Sequence, residues 1–184
     1  MKRIIALIIA VATSMVSIYA QQPQANTTKS LPDSRVEILT HLASLPDVSV
    51  TYLTRNMLQR LPKDKAKSPL AILVDKADIE SIRLFELGNG DAEASGKKLI
   101  DIYISEVPDH GDLNYTPSRV ELLMLQNNSP NELLMYGITK ANDIYRYQTI
   151  LMYSKAKGKK TILIIISGDI DADTIGELID SFSE

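Results

Sequence analysis

Cysteine is absent from all 184 residues of this chain. Disulfide bonds and a cysteine nucleophile are therefore excluded, and the fold has to be stabilised by its core alone. Because the lipid of a lipoprotein is attached to an N-terminal cysteine, we also expect this protein not to be a lipoprotein.

Tryptophan is absent as well, and two phenylalanines against eight tyrosines leave the aromatic surface to tyrosine. Acidic residues outnumber basic ones, with 23 Asp and Glu side chains and 20 Lys and Arg side chains. The basic residues cluster only between Lys155 and Lys160. Proteins that bind nucleic acid need a basic surface for the phosphate backbone. The composition therefore predicts that nucleic acid is not a partner.

The N-terminal residues have the pattern of a cleavable signal peptide. Lys2 and Arg3 precede an apolar segment that runs from Ile4 to Ile18, and Ala20 offers a small residue for cleavage. The apolar segment is shorter than the ~20 residues that a membrane span needs. We therefore expect residues 1–20 to be removed, which predicts a soluble periplasmic or secreted product with no stable membrane insertion after cleavage.

The rest of the chain divides into a leader and one domain. Residues 21–32 are rich in Gln, Asn, Thr and Pro and have no hydrophobic periodicity, which predicts a flexible leader. Residues 33–184 are enough for a single domain with its own core. Removal of Lys2 and Arg3 with the signal peptide would leave 18 basic against 23 acidic side chains, a net charge of −5.

Helix and strand patterns alternate in the first half of the domain. Ser34 and Glu37 form a capping box at the start of a helix that ends before Pro46. Residues 48–54 and 79–87 have strand patterns, with short helices predicted between them.

Residues 91–107 allow two interpretations. The segment DAEA at their start favours a helix, whereas Ile100, Ile102 and Ile104 alternate as they would in a strand. We favour the helix.

Four apolar runs of strand length follow Arg119, namely VELLMLQ, ELLMYGIT, IYRYQTILMYSK and KTILIIIS. The short turn segments between them require neighbouring strands to be antiparallel. The last run is continuously apolar from Ile162 to Ile166, which indicates a strand covered on both faces. The prediction is an α+β fold: an antiparallel β-meander of about four C-terminal strands plus one or two N-terminal strands, packed against helices on one face, with a C-terminal helix.

An acidic cluster, Asp169, Asp171 and Asp173, lies between the last strand and the last helix. The spacing fits positions one, three and five of a calcium loop, but Thr174 stands where that loop needs glycine for its turn. Without a metal, Asp171 or Asp173 can accept hydrogen bonds from the free N–H groups of the last helix, and the acidic residues near its start interact favourably with its dipole. We favour capping over a metal site, and no cofactor is predicted.

Patterns for catalysis are few. His110 lies in PDHGD beside Asp109 and Asp112, and His41 is the only other histidine. The sequence contains neither HExxH nor G-x-S-x-G. No catalytic residue is therefore predicted.

Tyrosines form a candidate binding surface. Tyr145, Tyr147 and Tyr153 have the same parity in one strand, which places them on one face, and Tyr136 on the preceding strand could join them. On an open face these rings would suit a sugar or a protein partner. Under helices they would be core residues with hydroxyls at the edge, and this second interpretation is favoured.

The segments VELLMLQNNSPNELLMYGI, YRYQTILMYSK and TILIIISGDIDADTIGELI resemble the C-terminal half of a family of small exported Bacteroidetes proteins, the domain of unknown function 4252. The resemblance covers roughly residues 46–182. It implies export, a helical N-terminal half and C-terminal hairpins, and it supplies no catalytic residues. Many relatives are lipoproteins, which this chain cannot match without cysteine, and Pro108 to Pro117 looks like an insertion.

Together these patterns predict an exported cell-envelope protein with a non-catalytic domain that binds a protein or glycan of the envelope. The alternative is a secreted or periplasmic hydrolase that uses carboxylates or His110.

Overall fold

The computed structural model describes residues 34–60, 69–107, 116–129 and 131–183. The predicted signal peptide, the predicted leader and His110 lie outside these residues. The described elements, in chain order, are α1 (Arg35–Ser44), β1 (Ser49–Thr54), α2 (Arg55–Leu58), α3 (Pro69–Lys76), β2 (Asp78–Leu87), α4 (Asp91–Ser105), β3 (Val120–Asn128), β4 (Asn131–Lys140), β5 (Asp143–Lys155), β6 (Thr161–Asp171) and α5 (Ala172–Ser183).

The six strands form one sheet with the order β1-β2-β6-β5-β4-β3. Every neighbouring pair is antiparallel. The predicted α+β class is confirmed, with a four-strand C-terminal meander, two N-terminal strands and a C-terminal helix. β1 and β3 are the two edge strands.

Helices cover both faces of the sheet, so the prediction of helices on one face is wrong. On the first face, called the α5 face, α3 and α5 cover a core that includes Ile82, Ile150 and Ile164. On the second, called the α4 face, α1 and α4 cover a core that includes Phe85 and Leu163. The residues of β6 are continuously apolar because successive side chains enter the two different cores.

The segment of ambiguous pattern is the helix α4, as favoured from the sequence. Its buried residues include Leu99, Ile100, Ile102 and Tyr103, which is a wider apolar stripe than a helix on a sheet alone requires. The stripe is wide because α4 contacts α1 as well as the sheet. Burial against two neighbours therefore produced the alternation that resembled a strand.

Irregular pairings interrupt the alternation of side chains in several strands. Register shifts lie between Ile79 and Ser81 in β2 and between Tyr147 and Thr149 in β5. One inserted residue moves all later side chains of a strand to the other face. Periodicity read across such a point therefore assigns the wrong face.

None of the helices in the described ranges has the length and apolarity needed to span a bilayer.

Candidate functional site

The tyrosines of β5 do not share a face, contrary to the sequence prediction. Tyr147 belongs to the core of the α5 face, and Tyr153 belongs to the core of the α4 face. The register shift between Tyr147 and Thr149 separates them, because it changes the parity in the middle of the strand. Both residues are buried, so the interpretation as core tyrosines is confirmed for these two.

Tyr147 crosses the neighbouring strand β4 at a glycine. A Cβ atom on Gly137 would lie 2.6 Å from two carbons of the Tyr147 ring, so the ring occupies the space that any larger residue would fill. The hydroxyl of Tyr147 donates to Oε2 of Glu121 on β3 at 2.6 Å. Burial, together with this hydrogen bond to a carboxylate, raises the pKa of Tyr147 to about 12.

Tyr153 is held by a second carboxylate. Its hydroxyl donates to Oε1 of Glu93 on α4 at 3.0 Å, and Nζ of Lys155 donates to the same oxygen at 2.6 Å. The hydrogen bond from Lys155 is the main reason that the pKa of Glu93 is below its usual range. The pKa of Tyr153 is raised, chiefly by burial. The hydrogen bonds of Tyr153 and Lys155 to Glu93 connect the sheet to α4, and they occupy the carboxylate of Glu93.

The other two candidate tyrosines are accessible but are not part of one surface with the first two. Tyr145 is 72% exposed at the start of β5. Tyr136 is half-buried on β4 and packs against the core of the α4 face. A four-tyrosine binding surface is therefore not formed.

The acidic cluster is divided between two structural roles. Asp169 accepts hydrogen bonds from Nζ of Lys140 and Nε of Arg146, each at 2.7 Å, and the pKa of Asp169 is lowered, mainly by Lys140. Oδ1 of Asp171 accepts the backbone N–H of Thr174 at 2.7 Å, as the cap of α5. Asp173 lies in the first turn of that helix. The predicted capping is confirmed, and of the two candidates Asp171 provides it.

Within residues 34–60, 69–107, 116–129 and 131–183, no three histidine or acidic side chains are arranged to hold a metal ion. His110 with its neighbours Asp109 and Asp112 lies outside these ranges. The predicted loop histidine therefore stays a prediction.

We expect Asp171→Ala to destabilise the protein by about 1 kcal/mol, because an N-cap carboxylate is lost. Asp171→Asn should retain most of the stability, because an amide oxygen also caps well. Urea unfolding of the three proteins with calcium and with chelator measures the difference. A loss for Asp171→Ala that appears only with calcium would contradict the capping role.

The stability difference between the wild type and Asp171→Ala should depend on pH. The pKa of Asp171 is lowered in the folded state, first by the backbone hydrogen bond of Thr174. A lowered folded pKa gives stability that is present above the unfolded pKa of about 3.9 and is lost as the pH falls through the folded value. The difference between the wild type and Asp171→Ala should therefore shrink as the pH falls below the unfolded pKa and through the lowered folded pKa.

An exposed apolar surface lies at the other end of the sheet, on the edge strand β3. We call Leu122, Leu125, Leu134 and Tyr136 the β3 edge patch. Leu122 pairs with Tyr136, and Leu125 pairs with Leu134, so the four side chains share the α4 face. The side chains of Leu122 and Leu125 are 53% and 57% exposed.

Among the described residues, little protects this edge against pairing with another strand. Between Val120 and Asn128 the only charged residue is Glu121, which already holds the hydroxyl of Tyr147. Natural edge strands are usually protected by charges, by proline or by a bulge. A bulge at Leu123 is present, since Leu122 pairs with Tyr136 and Met124 with Met135. The remaining protection is slight for a strand of this length.

Sequence reasoning missed Leu122 and Leu125 because every run from β3 to β6 is apolar. Only the position of β3 at the end of the strand order distinguishes its leucines from those in the core. One sequence feature could have indicated an edge strand: β3 ends in the polar residues Gln126, Asn127 and Asn128.

Comparison of the chain with protein-family models, with curated proteins and with solved structures gives no match. The resemblance to the exported Bacteroidetes family stays a prediction.

Proposed function

We propose that this protein is an exported, non-catalytic domain of the cell envelope that binds another protein through the β3 edge patch. One observation carries the proposal: Leu122 and Leu125, each more than half exposed, lie side by side on a strand whose outer edge is unpaired in the described part of the chain. A contiguous apolar surface of this kind is typical of an interaction site.

The chemistry of the patch favours a protein over a glycan. Sugars bind to the faces of exposed aromatic rings, whereas here the ring of Tyr136 is half-buried and leucines are the exposed residues. A free strand edge also offers backbone N–H and C=O groups to an added strand. The leucine side chains beside this edge would contact the apolar side chains of an added strand.

The ionisable groups support a non-catalytic role. Glu93, Asp169 and Asp171 have lowered pKa values because each accepts hydrogen bonds from structural partners. Tyr147 and Tyr153 have raised pKa values because each is buried against a carboxylate. A general acid or base needs a shifted group with access to substrate. These five groups serve the fold instead, and no described residue favours the hydrolase alternative.

The export part of the proposal is supported by the signal pattern of residues 1–20, in which a basic start, an apolar segment and a small residue follow one another.

Site-directed photocrosslinking in intact cells tests this function. A photoreactive amino acid replaces Leu125 in one protein and Val36 in a control, since Val36 is 74% exposed and belongs to α1 instead of the sheet. We expect one discrete adduct with another protein from position 125 and none from position 36. Leu122→Lys in the position 125 protein should abolish the adduct without changing the urea midpoint.

Two results would contradict the proposal. Equal adducts from positions 125 and 36 would show nonspecific contact. An adduct that contains only two copies of this chain would assign the patch to self-association.

A further inference from the structure

The opposite edge of the sheet carries a second exposed surface with a different chemistry. Val50 and Tyr52 of the edge strand β1 are 42% and 50% exposed. They pair with Phe85 and Arg83 of β2, which places all four side chains on the α4 face. We call Val50, Tyr52 and Arg83 the β1 edge surface.

Arg83 is the unusual member of this surface. It is half-buried, and its guanidinium carbon lies 5.5 Å from the centroid of the Tyr52 ring. One of its nitrogens, Nη1, is 3.4 Å from the hydroxyl of Tyr103, to which it donates. Arg83 forms no ion pair with a residue in the described ranges. A partly desolvated guanidinium, with five donors in a planar fork, normally holds a carboxylate or phosphate.

A neighbouring arginine makes the local charge more positive. The guanidinium carbon of Arg35 lies 3.9 Å from the centroid of the Tyr103 ring, so both arginines contact the same tyrosine. Glu106 pairs with Arg35, and Nε of Arg35 is buried without a hydrogen-bond partner among the described residues. Among the described residues, these two guanidinium groups therefore have one paired carboxylate, Glu106 at Arg35, in a protein whose net charge is −3.

We propose that the β1 edge surface binds an extended acidic peptide segment, which adds as a strand beside β1 and places a carboxylate at Arg83. The outer edge of β1, unpaired in the described part of the chain, supplies the backbone pairing, and the exposed side chains of Val50 and Tyr52 contact the apolar residues of the segment. Adjacent strands are about 4.8 Å apart. A glutamate on the added strand therefore reaches across Tyr52 to the guanidinium, which already lies beside that ring.

The sequence of β1 argues against a second copy of this chain as the occupant. Ser49–Thr54 reads SVTYLT and contains no acidic residue. Two copies paired through β1 would leave Arg83 without a carboxylate opposite the strand. The charge of the surface is complementary to a different, acidic segment.

Two synthetic peptides test the proposal on the mature protein. Each has about nine residues, in the range of natural strands, and alternates Thr and Val around a central residue that is Glu in one peptide and Gln in the other. Fluorescence anisotropy should show the Glu peptide binding about tenfold more tightly, as a charge-assisted hydrogen bond predicts. Arg83→Gln should remove this preference. Arg119→Gln, a change at an exposed arginine near β3, should retain it.

A second variant and a small anion complete the test. If Arg83→Gln lowers stability, Arg83→Lys keeps the charge without the planar fork and should reduce the preference to a fraction of the wild-type value. Equal binding of the two peptides, or a preference that persists in Arg83→Gln, would overturn the proposal. Displacement of the Glu peptide by an equal concentration of glutarate would also overturn it, since that result indicates a small-anion site without strand addition.

Discussion

Leu163→Ala is expected to lower the free energy of unfolding by about 2–5 kcal/mol. Leu163 is fully buried at the centre of the α4 face, on the strand β6 that both cores share. Removal of its side chain loses apolar burial and leaves a cavity between the sheet and two helices, which cannot both move inward.

Leu125→Ala is the matched control for this prediction. Leu125 pairs with Leu134, Leu134 pairs with Tyr153, and Tyr153 pairs with Leu163, so the two leucines lie in the same row across the sheet. Leu125 is 57% exposed at the end of that row, and its truncation should change stability by no more than about 0.5 kcal/mol.

Urea unfolding of the mature protein measures both variants, compared through the midpoint at a common m value. A similar loss in both would mean that the β3 edge patch is part of the core, and it would contradict the proposed binding role of Leu125.

Gly168→Ala is expected to destabilise the protein by about 1–3 kcal/mol, through overpacking against backbone. Gly168 pairs with Ile79 beside the register shift of β2. An added Cβ would lie 2.5 Å from the carbonyl oxygen of Asp78 and 2.9 Å from Cα of Ile79. Backbone atoms in a paired strand cannot rotate away as a side chain can, so β2 and β6 would have to separate.

Gly176→Ala provides the control with the opposite expected sign. Gly176 is exposed in α5, and a Cβ there would meet no heavy atom within 4 Å. Alanine in a helix is favoured over glycine by about 0.5–1 kcal/mol, so this variant should be more stable than the wild type. Thermal unfolding of the two variants should give shifts of opposite direction; two shifts of the same direction would contradict the assigned close approach at Gly168.

The two edge surfaces share one physical origin. On the α4 face, α1 and α4 cover the middle strands, where Phe85, Leu163 and Tyr153 are buried. The same row continues outward to Val50 on β1 and Leu125 on β3, and both end residues are exposed. Two helices do not reach across six strands, so apolar side chains at both edges remain exposed.

Much of the fold follows from local sequence. Ser34 predicts the first helix, and its Oγ accepts the N–H of Glu37 at 3.3 Å. The short turn segments after Arg119 predict an antiparallel meander, and the continuous run from Ile162 to Ile166 predicts a strand covered twice. These features could be predicted because capping, turn chemistry and burial of a whole run depend on neighbours in the chain.

The candidate sites could not be predicted in the same way. Parity placed Tyr147 and Tyr153 together, but a single register shift, which has no sequence signature here, sends them to opposite cores. Leu125 and Leu163 are both leucines in apolar strands, and only the strand order makes one exposed and the other buried.

The sequence by itself determined that this chain lacks disulfides, that helices and strands alternate before four consecutive strands, and that a carboxylate stands where the last helix needs a cap. The tertiary structure alone decided which strands are edges, which tyrosines meet carboxylates, and that Arg83 lies beside Tyr52 without an ion pair in the described residues. The reason is that local patterns fix the conformation of a segment, whereas exposure and charge pairing depend on residues that are distant in the chain and become neighbours only when the sheet assembles.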